Sequence, residues 1–291
     1  MQQQNFSPEG PQLRVIAAGR TDPGRVREHN EDAIARVEPG DQILSAQFGW
    51  IYLLADGAGG HAAGEVASRL AVETIAVAYY SAWAPSQQAD ESMSQSGGKV
   101  SHLDGQPASL TTPIIQLQRA FFAAHTRIRE VARRKQEYTD MLTTCIAAVV
   151  KGNHLLIAHV GDSRAYLLRP SSASEPSITP LTQDHSLVTA LAEAGIISHE
   201  ETYSSPARHK ILRALGEEEP EKACPDMTTC LVQPGDRLLL CCDGLWSELP
   251  ERQLAMVVSR NSPPEASAEL IRLANEAGGN DNISAVVLAF Q

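Results

Sequence analysis

Two short stretches raise the same chemical question. In "WIYLLADGAGG" and in "LLLCCDGLW" an apolar run stops on an aspartate followed directly by glycine, at Asp56–Gly57 and Asp243–Gly244. Three more aspartates stand beside expected strands: Asp32 in "HNEDA", Asp162 in "VGDSR" and Asp281 in "GGNDNIS". Asp and Gly are turn residues for purely conformational reasons. That explains any one of these positions better than it explains all five. Carboxylates gathered at sheet ends repel one another unless a cation lies between them. An oxygen-only donor set selects hard ions, Mg2+ or Mn2+, over zinc or copper. No D-x-D-x-D-G run is present, so an EF-hand calcium loop is excluded. Gly57, Gly59 and Gly60, crowded beside one acid, further suggest close approach to the backbone by a phosphate, a metal or another strand.

The elements that must position these acids are mostly strands. Arg14 to Ala18 and Phe48 to Ala55 read as buried strands, and Val66, Leu70, Thr74 and Val77 recur at helical spacing. Leu117, Phe121, Ala124, Ile128 and Val131 mark a second helix with one apolar stripe. "TTCIAAVVKGNHLLIAHVGDSRAYLLR" reads as consecutive antiparallel strands turning at Gly152–Asn153 and at Gly161–Asp162. "DHSLVTALAEAG" is a short helix closed by Gly195, and two helices precede the last strand, "NISAVVLAF". Strands outnumber helices, the connections suit antiparallel pairing and the helices come in pairs. The expected class is α+β, with packed sheets and outer helices. Residues 84–113, rich in Ser, Gln, Gly and Pro, read as a low-complexity, mobile surface insertion within a single domain spanning 1–291.

Composition narrows the function. The chain has 291 residues, 43% of them hydrophobic, and 24 Lys plus Arg against 35 Asp plus Glu give a formal charge of −11. That balance argues against a nucleic-acid partner. The five cysteines form no C-x-x-C pair and their number is odd, so they read as reduced core residues rather than a disulfide framework or zinc site. The N-terminal "MQQQNFSPEGPQ" has no apolar signal region, and no apolar run reaches the ~18 residues of a membrane span. A cytoplasmic protein is expected, without membrane partners.

Taken in order, "GRVREHNEDA", "LLADGAGGHAAGEVAS", "HVGDSRAY", "LTQDHS", "LLLCCDGLW" and "GGNDNISAVVL" resemble the motifs of bacterial metal-dependent Ser/Thr protein phosphatases of type 2C, the PPM family. The resemblance runs from about Val15 to Phe290, apart from 84–113. It implies a four-layer αββα sandwich, two antiparallel sheets between pairs of helices, with a metal site at one end. It further implies two core ions, Mn2+ or Mg2+, with Asp56 bridging both. The Gly57 carbonyl would ligate one ion, and Asp243 and Asp281 the other. Asp32 would hold metal-bound water, with Glu31 behind it. A third, weaker ion would use Asp162 together with Asp243. The implied reaction is hydrolysis of phosphoserine and phosphothreonine by direct in-line attack of a metal-bridging hydroxide, with no phosphoenzyme. Its partners would be phosphorylated proteins, including a Ser/Thr kinase or that kinase's substrates.

Arg27 matches the family's phosphate-binding arginine, and a guanidinium fork suits two phosphoryl oxygens at once. Arg25 is the decoy. His61, in "GGHAAG", stands where bacterial members keep a histidine near the metals, either as general acid or as a hydrogen-bond partner of a metal water. Animal members place a histidine directly after the Asp-Gly, where this chain has Ala58. Residues 182–216 resemble the family's substrate-facing flap, with His185 structural. The flap departs at His209–Lys210 from the commoner arginine–asparagine pair. Neither C-x5-R nor G-x4-G-K is present, so cysteine phosphatases and P-loop enzymes are excluded. The alternative is an inactive phosphoprotein-binding scaffold, against which all the acids and Arg27 speak.

Overall fold

Alternation along the strands sorts side chains into three separate cores, and those cores define the layers. The computed structural model describes residues 13–59, 62–81, 99–102, 108–170 and 176–291. Its elements begin with β1 (Val15–Asp22), β2 (Asp32–Val37), α1 (Gln42–Phe48), β3 (Trp50–Ala58) and α2 (Ala62–Ser81). Then come β4 (Val100–His102), α3 (Thr111–Ala132), β5 (Leu142–Thr143), β6 (Cys145–Lys151) and β7 (His154–Val160). They continue with β8 (Arg164–Arg169), β9 (Ser177–Pro180), α4 (Leu187–Glu193), α5 (His199–Ser204) and β10 (Asp226–Leu231). The chain closes with β11 (Arg237–Cys241), α6 (Asp243–Trp246), α7 (Glu251–Arg260), α8 (Pro263–Ala277) and β12 (Ile283–Phe290).

One sheet runs β1-β12-β11-β8-β9 and the other β2-β3-β6-β7-β10-β4, with β5 pairing β3 off that path. Between them lies a core built from alternate residues of each: Tyr52, Leu54, Ile146 and Ile157 meet Leu167, Leu238, Leu240 and Leu288. The intervening residues face outward. Leu53, Ala55, Ala147 and Val149 pack under α2 and α3, while Leu239, Cys241, Ala285 and Val287 pack under α7 and α8. Truncating such a buried leucine to alanine costs ~2–5 kcal/mol. This is the expected four-layer αββα sandwich. All five cysteines are buried, as core residues read from sequence should be. Among the described residues no helix is long and apolar enough to cross a membrane.

Three details differ from the expectation. The buried face of α2 is Ala63, Ala67, Ala71, Ile75 and Tyr79, whereas Val77 is 70% exposed. Small alanines let α2 lie close to the sheet and to α3, with Val66 and Leu70 packing half-buried against the same core. Second, Gly152–Asn153 does join the antiparallel pair β6 and β7, but Gly161–Asp162 carries the chain from one sheet to the other, since β8 pairs β11 and β9. Third, 84–113 is not wholly an insertion outside the fold. Val100–His102 adds to the sheet edge as the parallel neighbour of β10, and Leu110, Pro113 and Ile114 are buried at the start of α3. Residues 84–98 and 103–107 of that segment lie outside the described residues.

Candidate active site

Register brings the acids together. β2 pairs β3 with Asp32 opposite Asp56, and Asp56 follows Tyr52 and Leu54 at the two-residue period of the inward-facing positions. Both acids therefore sit where the sandwich opens at its end. The other sheet supplies Asp243 at the start of α6, directly after β11, and Asp281 just before β12. Asp162 lies in the crossover between β7 and β8. Asp56, Gly57, Asp162, Asp243 and Asp281 line one cleft of about 620 Å³ with Arg27 and Glu31. Arg25 does not line it. His61 lies outside the described residues, so its part in the site stays an expectation from sequence.

Glycine is required in both Asp-Gly pairs by close approach. A Cβ on Gly57 would stand 2.1 Å from the Gly64 carbonyl oxygen and 2.6 Å from that of Glu31. One on Gly244 would stand 2.1 Å from the Asn282 carbonyl oxygen. The first contact lets Gly57 N–H donate to Glu31 O at 3.1 Å, which fixes the loop before β2 against the end of β3. The second seats α6 on the start of β12.

Asn282 is a functional residue that the sequence reading missed. Its side-chain oxygen accepts from Glu31 N at 2.8 Å, and its amide donates to the Pro23 and His29 carbonyls at 3.0 and 2.9 Å. One side chain thus ties the segment carrying Arg27 to the strand that follows Asp281. Cys242 was read as core, and it is buried, but its sulfur also lies within a group whose donor atoms, with Asp32 and Asp56, are all within 4.8 Å of one another. Strand periodicity carries the signal: Leu238, Leu240 and Cys242 share the inward face.

The electrostatics are those of crowded buried acids. Burial pushes the Asp32 carboxyl up to about 7; hydrogen bonds from Ser284 and Cys242 restrain the rise, and Asp243 and Asp281 add to it. Burial first, then Asp32, Asp243, Asp162 and Asp281, holds Asp56 well above the usual carboxylate range. Asp162 is raised likewise, by burial and then by Asp243 and Asp184. Ser284 Oγ donates to Asp32 Oδ2 at 2.6 Å, yet Asp32 Oδ1 and Asp162 Oδ1 are buried without a hydrogen-bond partner among the described residues. Buried unsatisfied carboxylate oxygens are costly. Divalent cations fit these residues: they would satisfy both orphaned oxygens and remove the like-charge repulsion, and the five aspartates are hard oxygen donors.

Arg27 donates from Nη2 to Asp281 Oδ2 at 2.8 Å, so its guanidinium already points into the cleft. Partial burial opposes its charge, but Asp281 raises its pKa further. His185 belongs to the scaffold, as expected. Its ring accepts from Gly161 N at 3.1 Å and stacks on His159 with centroids 4.6 Å apart. From residues 182–216, Arg208, His209 and Ile211 border the cleft.

Known proteins resemble the chain in sequence and fold. The family described as protein phosphatase 2C matches residues 25–285. A serine/threonine phosphatase, stp, of Listeria innocua is 34% identical over 272 residues, covering 92% of this chain and 93% of its own. The crystal structure of the Mycobacterium tuberculosis serine/threonine phosphatase PstP/Ppp superposes with a TM-score of 0.73 at 32% identity, covering 95% of this chain and 98% of that one. A structure of the PstP catalytic domain in complex with two manganese ions superposes at 0.71 with 31% identity, over 96% and 99% of the two chains. With a family match across most of its length and relatives above 30% identity, the chain belongs to the protein phosphatase 2C family.

Proposed function

We propose that this chain is a Mn2+- or Mg2+-dependent phosphatase acting on phosphoserine and phosphothreonine in proteins. The observation that carries the reading is a pair of buried carboxylate oxygens without a partner among the described residues: one on Asp162, in the cleft that also holds Asp56, Asp243, Asp281 and Arg27, and one on Asp32, opposite Asp56 in register. Asp56 would help hold both core ions, one together with the Gly57 carbonyl and the other with Asp243 and Asp281; Asp162 and Asp243 would hold a weaker third. Such ions, when bound, supply an acidified water and neutralise phosphoryl oxygens.

The rest falls to the chain's own residues. Asp32, fixed by Ser284, accepts a hydrogen bond from a water in the cleft and orients it. Arg27, released from Asp281, grips two phosphoryl oxygens with its fork and sets phosphorus in line with that water. His61 either protonates the leaving seryl or threonyl oxygen or orders a second water. The excess of carboxylates over Arg27 in the cleft disfavours a phosphate until the cations are in place, which makes hydrolysis conditional on metal. Substrates of a Ser/Thr kinase, or that kinase itself, fit as partners, and five buried cysteines without a C-x-x-C pair suit a reducing cytoplasm.

The test is phosphate release from a phosphothreonine peptide, with Mn2+ and with EDTA, by wild type and Asp56→Asn. The expected result is turnover only with Mn2+ and a kcat/KM at least ~100-fold lower in the variant. Asp56→Asn activity within about tenfold of wild type would refute the reading. Peptide binding without turnover in wild type would favour the scaffold.

A further inference from the structure

We propose that His209, carried by the flap, joins Asp162 and Asp243 as a ligand of the third cation, giving that site a nitrogen donor and a preference for Mn2+ over Mg2+. The inference rests on the metal-dependent reading above and extends it to one site. His209 Nδ1 stands 3.5 Å from Asp243 Oδ2. Two donors each bonded to one ion at ~2.1 Å lie about 3 to 3.5 Å apart, so the pair has the spacing of neighbouring ligands. Asp162, only 2% exposed, borders the same cleft with one carboxylate oxygen lacking a partner among the described residues. That orphaned oxygen is an independent sign of a ligand at Asp162, whose carboxyl is raised by burial and then by the charge of Asp243.

The turn that presents His209 is held from both flanks. Arg208 N donates to Ser205 O and Lys210 N to Ala207 O, closing the turn itself. Ser186 bridges Ile211, Leu187 N donates to Lys210 O, and Leu212 N donates to His185 O. His185 in turn clamps Gly161, next to Asp162, by donating from its backbone N at 2.9 Å and accepting on its ring. The flap turn and the Asp162 loop therefore share one frame, and a turn of the half-exposed imidazole about its own side-chain bonds is the movement an ion would ask of it.

Imidazole is a borderline donor that Mn2+ and later first-row ions accept far more readily than Mg2+, which prefers oxygen. An ion bound by two acids of the sandwich and one histidine of the flap would also hold the flap turn over the cleft.

The test uses the full chain, wild type and His209→Ala, titrated with Mn2+ and separately with Mg2+ by calorimetry, and pulsed electron paramagnetic resonance of the Mn2+-loaded proteins. His209 is half exposed, so its truncation leaves the core untouched. The expected result is two tight ions in both proteins and a third Mn2+ bound about tenfold more weakly in the variant, with Mg2+ affinity changed less than about threefold. Nitrogen coupling to Mn2+ is expected in wild type and lost in the variant. Coupling that is absent from wild type, or that survives in His209→Ala, would overturn the proposal. So would equal weakening of Mn2+ and Mg2+, which marks a general effect on the flap. Absence of any tight ion in wild type would overturn the metal-dependent reading itself, and this inference with it.

Discussion

Replacing Asp32 by asparagine should make the metal-free protein more stable at alkaline pH while impairing catalysis. Asp32 is 8% exposed, and its pKa rises from 3.8 to about 7. In the unfolded chain the carboxyl ionises near 3.8. Between that pH and 7 the native state keeps a proton that the unfolded state has released. The stabilising contribution is therefore full below about pH 4 and lost as pH rises through 7. A shift of about 3 units corresponds to roughly 4 kcal/mol. Asparagine avoids this loss, and its amide oxygen still accepts from Ser284 Oγ, although the bond loses its charge, at a cost of about 1 kcal/mol. The net gain near pH 8 is about 3 kcal/mol, or roughly 6 °C in Tm for a chain of this size. Thermal melts in EDTA at pH 4 and pH 8 measure it: the variant should match or fall slightly below wild type at pH 4 and exceed it at pH 8. Saturating Mn2+ should reverse the order at pH 8, since the cation stabilises wild type more. A variant no more stable than wild type at pH 8 in EDTA, or a gap that does not change with pH, refutes the reasoning.

Three further outcomes are expected. Arg27→Ala should lower kcat/KM for a phosphothreonine peptide by at least tenfold, while calorimetry still finds both tight ions; an unchanged kcat/KM would pass the phosphate-holding role to Arg25 or the metals. Asp162→Ala should keep two tight ions and lose about tenfold in turnover. A Tm lowered by several degrees with kcat intact would reduce Asp162 to a turn residue. Asn282→Ala removes three hydrogen bonds that hold the Arg27 segment, so Tm should fall by several degrees. KM should rise with it, and amide exchange should quicken in residues 23–31; unchanged exchange there would contradict the tethering.

Much of the architecture was legible because its signals are local. Apolar runs ending on Asp56 and Asp243 gave both the strands and the acids, since a buried strand that stops on a charge must open onto a site. The stripe from Leu117 to Ile128 gave α3, whose face is wide enough for periodicity to show. What failed was decided at longer range. Nothing local tells whether the strand after Gly161 pairs with its predecessor or crosses to the other sheet; that depends on β11 and β9, some 70 and 10 residues away. The spacing of Val66 and Leu70 gave α2, but the alanines that line its most buried face score weakly in any apolar count, although they permit the closest helix contact. Asn282 was hidden by the acid beside it, as its three bonds reach back more than 250 residues. His209 stood out only as a departure from a family pattern, and its distance to Asp243 comes from the fold of the flap.

The two sheets contribute acids from opposite sides, Asp32 and Asp56 from one, Asp243 and Asp281 from the other. The mouth of the sandwich is therefore a caliper for the gap between its sheets. A substitution far down the shared core, at Tyr52 or Leu288 for example, alters that gap like a shim and reaches the jaws as a change in carboxylate spacing. Cation affinity should then be more sensitive than melting temperature to what fills the interior. Drift in the core would be constrained by calibration of the jaws well before it was constrained by folding.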